Sequence, residues 1–327
     1  MKAMIALVLA AALIWSGCGS CEKEPEVAEE PTAQPPAPTP GAALDTAGTL
    51  GEAGRLVDVG GFRLHIRSFG SGSPTVVIEP GIGDEGRVWG DVVEMLAEEH
   101  RVILYSRAGY GMSDPGPMPR SADREAAELA ALLDAAEVDA PYVVVGHSLG
   151  ALNALVYASE HANVMTGLVL LDPPPADFIR GKRFPDLYEM AGQATEGFRR
   201  EAERAREAGD VRRAAFQDAV ASEHEMMFRS GWALTGSIRT LGNMPLVVVG
   251  SGVPNPQFGE SAAAFQEFWR ESNEKLARLS TRGRFVYAPN STHDIPGDAP
   301  DIVVDAVRTV IAESQRRFQR VPEPGDK

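Results

Sequence analysis

The chain has 327 residues, of which 44% are apolar, and carries a formal net charge of −15 at pH 7. This length and apolar content suit one large globular unit or two small ones and exclude a fibrous or wholly disordered chain. The negative charge excludes nucleic acid as a main partner, because phosphate binding needs a basic surface that releases counterions. The two cysteines, Cys18 and Cys21, both stand at the end of an apolar leader, so the rest of the chain has no thiol nucleophile.

Residues 1–21 predict an exported protein with a lipid anchor. Lys2 precedes an apolar run at 3–15, and small residues follow it, which is typical of a signal peptide and short for a bilayer-spanning helix. The sequence SGC ending at Cys18 resembles the lipobox of bacterial lipoproteins, in which the cysteine is lipidated and becomes the new N-terminus. The resemblance implies a membrane anchor on Cys18, at the periplasmic or surface side of the bacterial cell envelope. An ordinary secretory signal cleaved nearby is the alternative.

Residues 22–54 are rich in Pro, Ala, Glu and Thr and show no apolar periodicity. Such a segment cannot bury enough surface to fold, so we predict a disordered linker. Because proline-rich chain is extended and fairly stiff, the linker would hold the folded part away from the membrane. At the other end, we predict a short tail at 321–327.

From residue 55 onward, short apolar runs alternate with amphipathic segments. Near-continuous apolar runs such as VVIE, YVVVG and LVLLD are typical of parallel strands covered by helices on both faces. The alternation predicts an α/β fold built on one doubly wound, mostly parallel sheet. Strands are predicted at 55–59, 62–68, 75–79, 101–106, 142–147, 167–172, 245–250 and 284–288. Helices are predicted at 88–99, 122–136, 149–160, 262–279 and 300–313.

The alternation stops between residues 173 and 244, where no convincing strand is present. A stretch of about 70 residues is too long for a plain loop in a compact domain. We predict a helical cap inserted between two strands, so that the core consists of 55–172 and 245–320. Helices within the cap are predicted at 186–191, 195–208 and 211–229. Apolar side chains that would form a pocket for an acyl group, or pack the cap on the core, are Phe178, Phe184, Tyr188, Met226, Met227, Phe228 and Trp232.

The sequence GHSLG at 146–150 stands between a predicted strand and a predicted helix. A strand–serine–helix turn strains the backbone and exposes the hydroxyl group, and flanking glycines allow the strand and helix to approach closely. The helix N-terminus also directs free N–H groups at a developing oxyanion. We therefore predict Ser148 as a nucleophile; a serine that only caps a helix is the alternative.

A serine nucleophile needs a base, and the chain has six histidines. His293 follows the last predicted strand, so it would lie at the carboxyl edge of the sheet, where ligands bind. The pair His224-Glu225 could begin the zinc motif HExxH, but position 228 is Phe and the motif fails. We predict His293 as the base, and no metal or other cofactor.

A triad also needs an acid, and two carboxylates compete for that role. Asp172 ends the strand LVLLD, between the serine and the histidine in the chain. After the strand at 245–250, where the acid more usually stands, no carboxylate occurs before Glu260. We favour Asp172, whose task would be to fix the imidazole tautomer and stabilise the imidazolium ion. A capping role on the following prolines is the alternative.

Residues 55–313 resemble the α/β-hydrolase superfamily. GHSLGAL resembles its nucleophile elbow, SRAGYGMSD at 106–114 resembles the segment after its fourth strand, and His293 matches its histidine. Asp172 matches members that take the acid from the earlier strand, as pancreatic-type lipases do. EPGIG at 79–83 stands where members commonly carry His-Gly. The resemblance implies an oxyanion hole formed by the backbone N–H groups of Ile82 and Leu149.

These residues together predict a serine hydrolase that cleaves a carboxylic ester or related acyl bond of a small-molecule substrate. Dehalogenases and epoxide hydrolases share the resemblance but carry Asp at the nucleophile position, so Ser148 excludes them. The same triad would also serve an acyltransferase or a peptidase. A catalytically silent lipoprotein that binds a ligand under its cap is the alternative from a different class.

Overall fold

The computed structural model describes residues 54–319, with the side chains of a few of them left out. The leader with Cys18, the linker up to residue 53 and the tail at 321–327 lie outside the described residues. Within the described part, no helix is long and apolar enough to cross a membrane.

Eight strands of the described chain form one sheet. The strands are β1 Arg55–Asp58, β2 Arg63–Phe69, β3 Thr75–Glu79, β4 Val102–Ser106, β5 Tyr142–His147, β6 Met165–Leu171, β7 Leu246–Ser251 and β8 Gly283–Ala288. Their order in the sheet is β1-β2-β4-β3-β5-β6-β7-β8. β1 and β2 pair antiparallel with each other, β2 pairs antiparallel with β4, and all other neighbours are parallel. The predicted doubly wound, mostly parallel sheet is therefore confirmed.

Helices cover both faces of this sheet, so its central strands are buried on both sides. The helices of the core are α1 Gly90–Ala97, α2 Ala122–Ala135, α3 Leu149–Glu160, α8 Ala262–Ala277, α9 Ile295–Asp298 and α10 Pro300–Gln319. Side chains of α2 and α3 pack on one face with Leu129 and Leu155, and those of α1 and α10 pack on the other with Leu96 and Val307.

The segment between β6 and β7 is helical, as the predicted cap requires. Its helices are α4 Ala176–Ile179, α5 Pro185–Glu207, α6 Val211–Met226 and α7 Trp232–Ser237. An aromatic cluster joins this cap to the core, in which Phe178 of α4 packs against Phe265 of α8. The cap therefore lies over the carboxyl edge of the sheet.

Two details of the cap differ from the prediction. The helices predicted at 186–191 and 195–208 form the single helix α5, which continues through Gly192. A glycine inside a helix costs only about 1 kcal/mol, and the packing of α5 on α6 offsets that cost. The helix predicted at 211–229 instead leaves α-helical geometry after Met226 and forms a π-helical turn at Met227–Gly231.

Candidate active site

Ser148 occupies the sharp turn between β5 and α3. Its backbone has φ 53° and ψ −120°, a strained conformation for a residue with a side chain. Flanking glycines permit the turn: a Cβ on Gly146 would lie 2.5 Å from the carbonyl oxygen of Gly150, and one on Gly150 would lie 2.3 Å from that of Glu79. The turn therefore has the strand–serine–helix geometry that the GHSLG motif predicts.

The structure brings the three predicted triad residues together. His293 Nε2 lies 2.9 Å from Ser148 Oγ, and His293 Nδ1 lies 2.7 Å from Asp172 Oδ2. The carboxylate of Asp172 is buried, whereas Glu260 is exposed and makes no hydrogen bond to His293 within the described residues. Of the two competing carboxylates, Asp172 is therefore the one that contacts the histidine.

Asp172 is held by two residues that the sequence analysis did not identify. Ser251 donates from its backbone N–H to Oδ1 at 3.1 Å and from its hydroxyl group to Oδ2 at 2.8 Å. Asn273 Nδ2 donates to Oδ1 at 3.2 Å. These donors fix the direction of the carboxylate toward His293. The position of Ser251 could have indicated this contact, because Ser251 ends β7, the strand after which the acid more usually stands.

His147 supports the backbone of the histidine loop. Its Nε2 donates to the carbonyl oxygen of His293 at 2.8 Å, and the two imidazole rings are 5.0 Å apart. Burial, together with a smaller contribution from His293, lowers the pKa of His147 to about 3. His147 is therefore neutral near pH 7, so it adds a hydrogen bond but no positive charge beside His293.

The predicted oxyanion donors lie in a loop and at the start of a helix, and Ile82 lines the same cavity as Ser148. Ile82 follows β3, and Leu149 is the first residue of α3. Within residues 54–319, neither backbone N–H donates a hydrogen bond to the protein. Since β3 and β5 are neighbours at the point where the strand order reverses, both donors lie at the switch point of the sheet.

The other histidines are not joined to Ser148 by a hydrogen bond. His65 lies in β2 and His100 is buried after α1, while His161 stacks on Tyr157 at the end of α3. His224 lies in α6, where Thr195 Oγ1 is 2.7 Å from its Nδ1, and burial lowers its pKa to about 4. No group of three metal-binding side chains is found in the described part of the chain.

Ser148 and His293 line a cavity of about 1200 Å³ between the core and the cap. Its cap side carries apolar side chains together with charged ones, among them Asp210 and Arg212. Of the apolar cap residues noted in the sequence, Phe178, Met227 and Phe228 line it, whereas Phe184 and Tyr188 pack in the aromatic cluster behind. The core adds the aromatic side chains of Phe258, Phe265 and Trp269.

Comparison with known proteins gives a consistent match to one family. The family described as the alpha/beta hydrolase fold matches residues 74–210. YqjL of Bacillus subtilis (strain 168), an uncharacterised protein, is 32% identical over 241 residues, which are 74% of this chain and 85% of YqjL.

Two further proteins are similar and have named activities. N-formylmaleamate deformylase of Pseudomonas putida is 30% identical over 187 residues, which are 56% of this chain and 65% of the deformylase, slightly less than two thirds of its length. A thermophilic esterase from Thermogutta terrifontis superimposes with a TM-score of 0.54 at 21% identity, covering 77% of this chain and 94% of the esterase. At that identity, the likeness concerns the fold alone.

Proposed function

Since the chain belongs to the α/β-hydrolase superfamily, we propose that it is a serine hydrolase that cleaves a carboxylic ester or related acyl bond. The observation that carries this proposal is the hydrogen-bonded series Ser148–His293–Asp172, with distances of 2.9 and 2.7 Å, in a cavity that is partly lined by aromatic side chains. The similar deformylase is named for the removal of a formyl group, which is an acyl group, and this agrees with the proposed class of reaction.

In the proposed reaction, Ser148 Oγ attacks the acyl carbon and passes its proton to His293 Nε2. The tetrahedral intermediate then collapses: the bond to the leaving group breaks, and His293 returns the proton to that group. Water attacks the acyl-enzyme in the same way, giving its proton to His293. Ser148 regains a proton as the carboxylic acid leaves, so His293 and Ser148 end as they began.

Asp172 and the two backbone donors would stabilise the charges that form during these steps. Asp172 keeps the proton of neutral His293 on Nδ1, which leaves Nε2 free to accept, and it stabilises the imidazolium ion. The N–H groups of Ile82 and Leu149 would bind the oxyanion. Removal of one such donor typically costs about 10²–10³ in kcat.

The cavity favours an apolar acyl group. Phe178, Phe228 and Trp269 line it together near the triad, and their faces offer dispersion contacts but few hydrogen bonds. We therefore propose a substrate whose acyl part is larger than acetyl.

A panel of p-nitrophenyl esters of increasing acyl length, measured beside Ser148→Ala, tests the proposed function. The parent should hydrolyse several members, and the variant should lose about 10⁴-fold or more of kcat. An inactive parent would contradict the proposal, as would a Ser148→Ala variant that keeps its rate.

We also propose that Cys18 carries a lipid and anchors the enzyme at the bacterial cell envelope, from the lipobox-like SGC that ends the leader. In cells, Cys18→Ser should move from the membrane fraction to the soluble fraction, whereas Cys21→Ser, the matched control, should stay in the membrane fraction. Intact-mass measurement of the purified membrane form should show attached acyl chains. Unchanged partitioning of Cys18→Ser, together with an unmodified mass, would contradict this anchor.

A further inference from the structure

A buried guanidinium group lies directly behind the loop that carries Ile82. Arg107 follows β4, is 2% exposed, and donates five hydrogen bonds, one for each N–H of its side chain. Two of them reach the carbonyl oxygens of Pro80 and Gly81, at 2.5 and 2.9 Å. Since guanidinium is planar, these contacts fix the loop in both position and orientation.

The contact with Gly81 controls the direction of one oxyanion donor. The carbonyl group of Gly81 and the N–H of Ile82 belong to the same peptide unit, which is trans. In a trans peptide, these two groups point in opposite directions. Because Arg107 binds the carbonyl oxygen of Gly81, the N–H of Ile82 points away from Arg107. The positive charge of Arg107 also polarises this peptide, which makes its N–H a stronger hydrogen-bond donor.

The cap supplies the group that holds Arg107. Glu223 of α6 accepts from Arg107 Nε at 2.9 Å and from Nη2 at 3.0 Å, and the carboxylate is itself buried. Tyr110 adds a second link, because its hydroxyl group donates to Glu223 Oε2 at 2.6 Å and accepts from the N–H of Gly83 at 3.1 Å. Gly81 is therefore linked through Arg107, and Gly83 through Tyr110, to the same carboxylate of the cap.

Stability alone does not account for this arrangement. Buried ion pairs contribute little net stability, since apolar residues of similar volume are often as good. Burial even raises the pKa of Glu79, the second carboxylate that Arg107 contacts, against the lowering effect of the Arg107 charge. What apolar residues could not replace are the hydrogen bonds to the carbonyl oxygens of Pro80 and Gly81.

We propose that Arg107 and the cap residue Glu223 are positioning residues for the oxyanion hole, through which the cap sets the direction of the Ile82 N–H. The inference rests on the proposed function, the hydrolysis of an acyl bond through Ser148. It implies that the cap contributes to the chemical step as well as to substrate binding.

The test compares Glu223→Gln with Glu128→Gln in the otherwise unchanged chain. Glu128 also pairs with a buried arginine, Arg120, at 2.5 and 2.6 Å. Within the described part of the chain, no hydrogen bond or ion pair joins Glu128 to residues 79–83, so it is a matched control. The probe is an alkyl fluorophosphonate, whose P=O group needs the oxyanion donors while its phosphorus bonds to the serine. The maximal rate of inactivation and the probe concentration at half that rate are both measured.

Glu223→Gln should lower the maximal inactivation rate by about 10–100-fold, part of the cost of losing an oxyanion donor. The half-saturating probe concentration should change by less than about threefold, since reversible binding does not use the oxyanion. Glu128→Gln should stay within about twofold of the parent in both the maximal rate and the half-saturating concentration. Within residues 54–319, Glu128 contacts Arg120 and not the loop of residues 79–83. A merely structural role of Glu223 would lower the melting temperature and leave the maximal rate of the folded protein unchanged.

The outcomes separate the two proposals. If the parent reacts at Ser148 and a folded Glu223→Gln variant reacts at the same rate, the inference about Arg107 and Glu223 is wrong, whereas the proposed function stands. A parent that does not react overturns the proposed function and the inference with it. If Glu223→Gln does not fold, Tyr110→Phe decides, because it removes the hydroxyl group that connects Gly83 to Glu223 and leaves the contacts of Arg107 in place. Its inactivation rate should fall severalfold, and a parent-like rate overturns the inference.

Discussion

The carboxylate of Asp172 receives three hydrogen bonds from Ser251 and Asn273 in addition to its contact with His293. These donors hold it in one orientation, which an acid needs if it is to keep a histidine in one tautomer. Glu260 is exposed and accepts no comparable set of hydrogen bonds from residues 54–319. At the scale of single residues, the two carboxylates therefore differ in orientation: hydrogen bonds fix that of Asp172, and none of this kind fixes that of Glu260 among the described residues.

We expect Asp172→Asn to lower kcat by about 10²–10⁴-fold, because the imidazole loses its orientation and the imidazolium its counter-charge. Glu260→Gln, the control, should stay within about tenfold of the parent, since an exposed carboxylate contributes little. Steady-state kinetics on one ester measures both variants, and thermal unfolding checks that they fold equally. A large loss in Glu260→Gln with none in Asp172→Asn would reverse the assignment of the acid.

The sequence predicts the triad because each member stands at the end of a strand with a clear apolar pattern. Ser148 and His293 follow β5 and β8, and parallel strands bring their carboxyl ends to one edge. The supporting residues do not follow from such patterns. Ser251 and Asn273 are 79 and 101 residues from Asp172 in the chain, and Glu223 is 116 residues from Arg107. The Ser251 contact arises when β7 pairs with β6, and the other two arise when α8 and the cap pack on the core.

At the scale of elements, the cap helices and α8 together form the apolar wall of the cavity. Phe228 lies on the π-helical turn after α6, and its ring packs edge-to-face on Phe178 at 5.9 Å between centroids. π-Helical turns often occur at functional sites because they shift the side chains that follow. Here the turn presents Met227 and Phe228 to the cavity.

Phe228→Ala should therefore reduce kcat/KM for esters with long acyl chains and leave acetyl esters nearly unchanged. Loss of contact with about 50 Å² of apolar surface corresponds to roughly tenfold in kcat/KM. Phe184→Ala is the matched control, since Phe184 belongs to the same aromatic cluster but does not line the cavity. Equal effects on acetyl and long-chain esters in Phe228→Ala would place the acyl group elsewhere.

At the scale of the whole molecule, buried titratable groups make stability depend on pH. Burial lowers the pKa of His224 to about 4 and, with His293, that of His147 to about 3. The unfolded chain takes up protons at these histidines below about pH 6.5, whereas the folded protein does not. Their contribution to stability is complete above pH 6.5 and is lost progressively as the pH falls toward 4.

Replacement of His224 should weaken that dependence. Between pH 7 and 5, His224→Asn should lose about 2 kcal/mol less unfolding free energy than the parent, while its Oδ1 can still accept from Thr195. Urea unfolding at the two pH values measures the difference, and His161→Asn, at a half-exposed site, is the control. An unchanged pH dependence in His224→Asn would show that His224 takes up a proton in the folded state.

The central claim, an acyl-enzyme on Ser148, can be tested by rapid mixing with p-nitrophenyl acetate, acid quenching and mass spectrometry of the digested protein. Since p-nitrophenolate leaves without taking a proton from His293, acylation should be faster than deacylation and the intermediate should accumulate; Ser148→Ala, measured beside the parent, is the control. We predict one added acetyl group on the peptide that contains Ser148, formed together with a burst of p-nitrophenol. Turnover without any acetylated peptide, or with the acetyl group on a different residue, would contradict the account.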